Sequence, residues 1–302
     1  MTAILVSFAL LLDSWLGEVR RFHPLVGFGH CARMAEKLLI RQGGLLRLMG
    51  FIGWAILVIP LPLVLWWLLD QLPLWLNGLL QAVVLYFCVG GRSLVEHARR
   101  VSTPLLAGDL PAARQAVAMI VSRDTQNMDQ PAVVRATVES VLENGSDAQL
   151  APLFWFVLAG APGALLYRLA NTLDAMWGYR NSRYWDYGFA AAKLDDGLNW
   201  LPARLCAFSY GLMGNLQLAL HCWRQQAPQM DSPNGGPVMA AGAGALDIQL
   251  GGNAVYGDQL KRRPQLGSDR VADVSDIERA IQLFINTCLL WWAVVVVGVV
   301  IW

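Results

Sequence analysis

Charge is scarce in this 302-residue sequence: Asp, Glu, Lys and Arg together make up 15%, against about 25% in ordinary globular chains. That shortage excludes intrinsic disorder and a solvated coiled coil, which both need far more. Neither sign predominates. Twenty-three Lys and Arg against 22 Asp and Glu leave a net charge of +1, so no global field gathers nucleic acid and no nucleic-acid partner is expected. The five cysteines and four histidines are scattered, without a CxxC pair or a cluster at zinc-ligand spacing. A disulfide framework and a structural zinc are both disfavoured. No GxxxxGK[ST] occurs, so a P-loop is not available to hold nucleotide. Sustained period-two alternation is rare and no repeat recurs at fixed spacing, which argues against a large sheet or a solenoid.

What is abundant is apolar length. The hydrophobic set makes up 56% of the chain, and the runs 48–69, 72–90 and 283–302 are charge-free and long enough to cross a bilayer. The first two form a hairpin around Asp70 and Gln71, with Trp66, Trp67 and Trp75 at interfacial depth. Segment 2–16 is weaker because Asp13 interrupts it. It lacks the basic start and cleavage site of a secretory signal, so it is read as retained. An intramembrane Asp13 is either functional or interfacial. All 23 Lys and Arg fall between residues 20 and 47 or between 92 and 279, so 17–47 and 91–282 are expected to face the cytoplasm. The stretches 151–167 and 201–220 are marginal in length and carry proline, glycine or Arg204. They read as re-entrant or buried helices rather than crossings. The expected fold is all-α: one polytopic integral membrane domain, with N-terminal membrane segments over 1–90, a helical cytoplasmic portion over 91–282 and a transmembrane helix over 283–302.

Local signals punctuate the cytoplasmic portion. Asp109 before Pro111 and Asp129 before Pro131 predict helix starts, Asn144-Gly145 predicts a stop, and Ser275 with Glu278 predicts a capping box. Acids, bases and amides crowd three places. Arg123-Asp124 precedes a helix on which Arg135, Glu139 and Glu143 share one row, so Arg135 and Glu139 are either a surface pair or part of a site. Glu143, Asn144 and Asp147 bring three oxygen-bearing side chains within five residues, which suits Mg²⁺ with nucleotide phosphates. Asp174, Arg180 and Arg183 are either a solvated loop or an anion clamp. Lys193, Asp195, Asp196 and Asn199 offer cation ligands or simple caps. The glycine-rich stretches at 232–236 and 250–253 allow backbone to approach an anion but also read as turns. Lys261-Arg262-Arg263 reads as an exposed basic turn in preference to a ligand site. His23 and His30 are each more naturally satisfied polar residues than catalysts.

Taken in series these blocks resemble the adenosylcobinamide-phosphate synthase family, the CobD/CbiB membrane enzymes of cobalamin biosynthesis. The resemblance runs through Asp13 with Gly17-Glu18, HPLVGFG (23–29), SRDT (122–125), VES and ENGSD (138–140 and 143–147), PGALLYRLANTLDAMWGYRN (162–181), KLDDGLNWLPARL (193–205), DSPNGGP (231–237) and LGG (250–252). Val19, Ala148 and Gly235 depart from residues common in the family. The resemblance implies ATP-dependent amide synthesis joining adenosylcobyric acid to (R)-1-amino-2-propanol O-2-phosphate, in the inner membrane of a bacterium with the active site facing the cytoplasm. Such a reaction calls for Mg²⁺ and cationic groups around a transferring phosphoryl group, and for a base near the amine. Glu143, Asp147, Asp195 and Asp196 are the expected catalytic and Mg²⁺-binding residues. Arg123, Arg180 and Arg183 are expected on phosphate or carboxylate, with Asp124, Asn144, Asp174, Lys193 and Asn234 also binding substrate. A homo-oligomer is compatible with the sequence. A transporter of a small polar or corrinoid solute is the rival reading, since an intramembrane acid and broken apolar segments serve transport as well.

Overall fold

The computed structural model describes residues 1–19, 23–40, 45–179, 181–256 and 259–301. Helices dominate in chain order: α1 (Thr2–Leu16), α2 (Pro24–Ile40), α3 (Leu46–Val58), α4 (Pro60–Gln71), α5 (Leu74–Cys88), α6 (Gly91–Leu106), α7 (Leu110–Val117), α8 (Gln130–Gly145), α9 (Ala151–Trp177), α10 (Phe189–Met213), α11 (Leu216–Gln226), α12 (Gly235–Leu246) and α13 (Ser275–Ile301). Among the described residues the strands are three residues each: β1 (Gln249–Gly251) pairs antiparallel with β4 (Gln265–Gly267), and β2 (Ala254–Tyr256) with β3 (Gln259–Lys261). Three residues are too few to leave an alternation in the sequence.

Among the described residues, four stretches are long and apolar enough to cross a membrane: Leu46–Gln71, Leu74–Leu106, Gln130–Trp177 and Ser275–Gly298, with Thr2–Leu16 apolar but shorter. The chain is thus a helical, polytopic membrane protein. Large apolar side chains such as Leu63, Trp66, Trp67, Trp75, Val294 and Val297 stand exposed on these stretches, as lipid-facing side chains must. The third stretch contains 151–167, expected as re-entrant. It qualifies by length and apolarity, yet α9 is broken inside it at Ala159 and Gly160. The other marginal run, 201–220, is divided where α10 ends at Met213 and Asn215 caps α11 by accepting from the Leu218 N–H at 3.1 Å.

The chain gathers into two compact units. The first comprises Met1–Gly90, Ala151–Asn199 and Val295–Trp302. Its core joins Phe28 and Ala32 of α2, Trp54 and Val58 of α3, Leu169, Leu173 and Trp177 of α9, and Tyr187. The break in α9 is satisfied from α5. Gly160 adopts φ 62°, the Gln81 side-chain carbonyl accepts from the Ala161 N–H at 3.3 Å, and the Gln81 amide donates to Asn77 Oδ1 at 2.7 Å. Asn77 in turn donates to the Leu69 carbonyl at 2.7 Å. This polar ladder supplies what lipid cannot.

The second unit comprises Gly91–Leu150 and Trp200–Val294. At its centre lies α12, buried at every position, as expected of a helix that is apolar all round. Valines of α8, alanines of α10 and α12, and Ile277, Ile281 and Phe284 of α13 pack around it. The predicted starts at Asp109 and Asp129 are present: each side chain accepts from the backbone N–H three residues on, at 3.0 and 2.8 Å. Two local expectations need correction. Asn144-Gly145 does not stop the chain's helical course, which continues through a π turn at Ser146–Leu150. A Cβ at Gly145 would lie 2.7 Å from Tyr210 Oη and 2.8 Å from Phe284 Cδ2, so this glycine serves close packing and not a left-handed turn. The capping box at α13 is also displaced. Asp273 accepts from the Ser275 N–H at 2.7 Å while Asp276 accepts from the Asp273 N–H at 2.8 Å, leaving Glu278 to pair with Arg99 at 2.7 Å.

Candidate functional site

Helix α8 builds the more strongly charged of the candidate sites, in the second unit. Its capped start places Glu139, Ser140, Glu143 and Asn144 on successive turns. Glu139 is 1% exposed. Its Oε2 accepts from Arg123 Nη2 at 2.5 Å and from Arg263 Nη1 at 2.8 Å, and its Oε1 accepts from the Gly251 N–H at 2.7 Å. Of the two readings of Glu139, the surface pair with Arg135 is the one the structure does not show: the carboxylate is buried and shared between two arginines. Arg263, read as part of an exposed basic turn, has a side chain only 10% exposed; that expectation is corrected. The glycine-rich stretch at 250–253 does bring a backbone amide to an anion, but the anion is the protein's own Glu139. Gly251 adopts φ 77°, a conformation natural only to glycine.

Arg123 and Arg263 form part of the wall of a cavity of about 340 Å³, together with Ser122, Ser140, Glu143, Asn144, Asp231, Ser232 and Arg262. The Asn144 amide donates to the Ser140 carbonyl at 2.9 Å and to its hydroxyl at 3.0 Å. The Glu143 carboxylate makes no hydrogen bond or ion pair among the described residues, so it is left for the cavity. A neighbouring cavity of about 300 Å³ shares Arg123 and adds Asp124, Asp129, Arg135 and Gly251. Asp124 also closes its own loop by accepting from the Gln126 N–H at 2.9 Å. Asn234 is buried just before α12, its side-chain oxygen 3.3 Å from Arg204 Nη1, and Arg204 lies 4.2 Å above the Trp200 ring. Asp147 sits on the π turn near Cys206 and Tyr210 and does not line the larger cavity.

The remaining expected residues lie in the first unit, except Arg180, which falls outside the described residues. Asp195 is buried, with the Asn171 amide 3.4 Å from its Oδ1. Asp196 pairs with Lys193 at 3.2 Å, and both line a cavity of about 310 Å³ with Arg47, Tyr179, Tyr184, Trp185 and Phe189. Asp174 closes the C-terminal turn of α9, its carbonyl accepting from the Gly178 N–H at 2.7 Å. Arg183 holds a partner the sequence reading missed: Glu36 of α2 is 4% exposed and accepts from Arg183 Nε at 2.9 Å and Tyr184 Oη at 3.0 Å. Burial, and then this bond to the carboxylate, push the Tyr184 phenol above its ordinary pKa. Among the described residues no three His, Cys, Asp or Glu side chains gather as a metal-ion holder.

A polytopic helical membrane protein with a cavity walled by arginines, carboxylates and hydroxyls is the class defined so far. Comparison with known proteins narrows it. The CobD/Cbib protein family model matches residues 6–284. The cobalamin biosynthesis protein CobD of Stutzerimonas stutzeri is 53% identical over 291 residues, covering 96% of this chain and 95% of the relative. That of Chromobacterium violaceum is 51% identical over 298 residues, covering 97% and 95%, and that of Mycobacterium tuberculosis 39% over 290, covering 93% and 90%. No solved structure matches significantly. The chain belongs to the CobD/CbiB family of cobalamin biosynthesis, the adenosylcobinamide-phosphate synthases.

Proposed function

We propose that the chain joins adenosylcobyric acid to (R)-1-amino-2-propanol O-2-phosphate, or a related aminoalcohol phosphate, with ATP driving amide formation. The observation that carries this reading beyond family membership is the cavity of the second unit, where an unpaired Glu143 faces Arg123 and Arg263. Amide synthesis from a carboxylate needs an oxygen to leave. Transfer of a phosphoryl group to that oxygen makes it a leaving group, and positioned arginines offset the charge that spreads over the transferring group. The amine must attack as the free base, and a carboxylate such as Glu143 or Asp147 can take its proton.

The oxygen donors Glu143, Asn144 and Ser140 suit a hard cation. Mg²⁺ is commonly held by one or two carboxylates, with phosphates and water completing its shell, so a nucleotide complex does not need three protein acids. Bound there with ATP, the ion would neutralise phosphate charge. In the first unit, Asp195, Asp196 and Lys193, with Asp174, Arg180 and Arg183, are assigned to substrate binding or catalysis on residue type and family resemblance.

We assign the enzyme to a bacterial inner membrane with 17–47 and 91–282 facing the cytoplasm and the apolar run 151–167 entering the membrane from that side without crossing it, following the confinement of Lys and Arg to those regions. Labelling of single cysteines within 168–200 from either side of sealed vesicles tests the orientation. The chemistry is tested by incubating the detergent-purified full chain with ATP, Mg²⁺, the corrinoid acid and the aminoalcohol phosphate, followed by mass spectrometry. The amide together with ADP is expected. Uptake of substrate into proteoliposomes with no new covalent product would overturn the ligase in favour of a transporter.

A further inference from the structure

The ligase reading leaves Glu139 and Arg262 without a role. We propose that the 340 Å³ cavity of the second unit is a phosphoryl-binding subsite in which Arg123, Arg262 and Arg263 contact the phosphoryl oxygens and Glu139 is the positioning residue that aims two of them. The inference deepens the proposed function and rests on it for the identity of the phosphorylated ligand.

Three observations carry it. Glu139 is buried beneath the cavity and binds Arg123 and Arg263 through the same oxygen, at 2.5 and 2.8 Å. Two guanidinium groups brought side by side would repel one another; a carboxylate between them offsets that repulsion and fixes both forks before any ligand arrives. Next, the donors are not exhausted. Arg123 commits a single N–H to Glu139 and no other to a protein acceptor among the described residues, while Arg262, exposed at the rim, commits none. A guanidinium carries five donors in a planar fork that matches phosphate oxygens. Finally, the obvious alternative anion holder is already occupied. The first N–H groups of α12 also border this region, but Gly235 N donates to Ser232 Oγ at 2.9 Å, Gly236 N to the Ser232 carbonyl at 3.2 Å, and Pro237 has none. Among the charged groups on this wall, the arginines are the ones that can hold an anion.

The acids on the wall, Glu143 and Asp231, offset part of the arginine charge, so selectivity rests on geometry. A carboxylate offers two oxygens, whereas a phosphoryl group offers three that can use several forks at once. The same chemistry is offered by the polyphosphate of ATP and by the phosphate monoester of the aminoalcohol, and the experiment separates them.

Full-length wild-type protein and the variants Arg262→Ala, Arg263→Lys and Glu139→Gln are titrated calorimetrically in detergent with ATP, with the aminoalcohol phosphate and with adenosine, and their KM and kcat are measured. Arg262→Ala removes a side chain with no partner among the described residues, so its melting temperature should stay unchanged while affinity for one phosphorylated probe falls about tenfold. Adenosine binding should not move, and the probe that weakens names the ligand. Arg263→Lys keeps the charge and loses the fork, and should weaken the same probe. Glu139→Gln should raise KM for that probe more than it lowers kcat, as a positioning residue does and a merely structural one does not. Should Glu139→Gln fail to fold, Arg262→Ala decides. If Arg262→Ala and Arg263→Lys bind both phosphorylated probes within twofold of wild type, the subsite is wrong even where wild type makes the amide. If they lose phosphate affinity while wild type makes no amide, the subsite stands and the ligase reading falls.

Discussion

Glu139 and Arg263 stand 124 residues apart in the chain and meet at 2.8 Å, with both side chains almost wholly withdrawn from solvent. The contact ties the segment between β3 and β4 to α8, and through Gly251 the same carboxylate holds the end of β1. Short strands bury too little to hold themselves in place. Glu139 therefore has a structural task in addition to orienting arginines.

Replacement of Glu139 by Ala should destabilise the protein by roughly 3–5 kcal/mol, since it leaves two buried guanidiniums without their counter-ion. Arg135, one helical turn away and the partner suggested by sequence spacing, should cost no more than about 0.5 kcal/mol when replaced by Ala. Thermal unfolding in detergent decides between them: a large drop for Glu139→Ala beside a small one for Arg135→Ala is expected, and equal drops would mean that the observed pairing is not the one that matters.

Two glycines should respond oppositely to alanine. A Cβ at Gly50 of α3 would fall 2.0 Å from the Tyr187 carbonyl oxygen, a clash with backbone that cannot be relieved by turning a side chain. Gly50→Ala should cost at least the roughly 1–3 kcal/mol of ordinary overpacking. At Gly235 the nearest atoms are the tips of Glu143 and Ser232, at 3.0 and 3.3 Å, and both can give way. Gly235 is the first residue of α12, where only part of the interior preference for Ala over Gly, about 0.5–1 kcal/mol, applies, so the melting temperature should equal or slightly exceed that of the wild type.

His23 supplies a pH dependence. It caps α2 by accepting from the Leu25 N–H through Nδ1 at 3.2 Å, which requires that nitrogen to be unprotonated. Burial holds its pKa below the ordinary 6.5, Glu18 pulls the other way, and Arg168 adds to burial. An unfolded chain therefore binds this proton more readily than the folded one. Its contribution is present above about pH 6.5 and is lost as the pH falls through the lowered folded value. His23→Asn keeps a capping acceptor without a titrating group. Its melting temperature should match wild type near pH 7.5 and decline less below pH 6.5; parallel declines would dismiss the histidine as the source.

What the sequence disclosed was whatever is decided within a few residues. Asp109 and Asp129 announce their helices because a cap and the N–H it receives are three positions apart, and the apolar runs announce membrane helices by length alone. The shift of the α13 cap to Asp273 and Asp276 has a tertiary cause: Asp276 is fully buried against Arg270 and Arg279, and no local pattern records that. The site divides likewise. Glu143 and Asn144 were visible as a cluster of oxygens at the end of α8. Spacing alone leaves Glu139 open between a surface pair and a site and makes Arg263 read as a basic turn, because the link between them closes only when residues 124 apart come together. Glu36 was missed for the same reason, its partner Arg183 lying 147 residues on.

The broken α9 gives a test of how a membrane protein interrupts a helix without leaving polar backbone in apolar surroundings. Gln81 accepts from the fully buried Ala161 and is itself held by Asn77. Gln81→Leu keeps much of the side-chain volume but leaves that N–H unsatisfied, a loss of about 1–3 kcal/mol. Gly160→Ala asks an L-residue to adopt φ 62° and puts a Cβ 2.8 Å from Gln81 Oε1, so it should destabilise through the same joint. Because both act at one junction, the double variant should cost clearly less than the sum of the singles, whereas two independent lesions would add. Additive losses in melting temperature would show that Gln81 does not support the break, and the bend would then have to be held by the helices packed around α9.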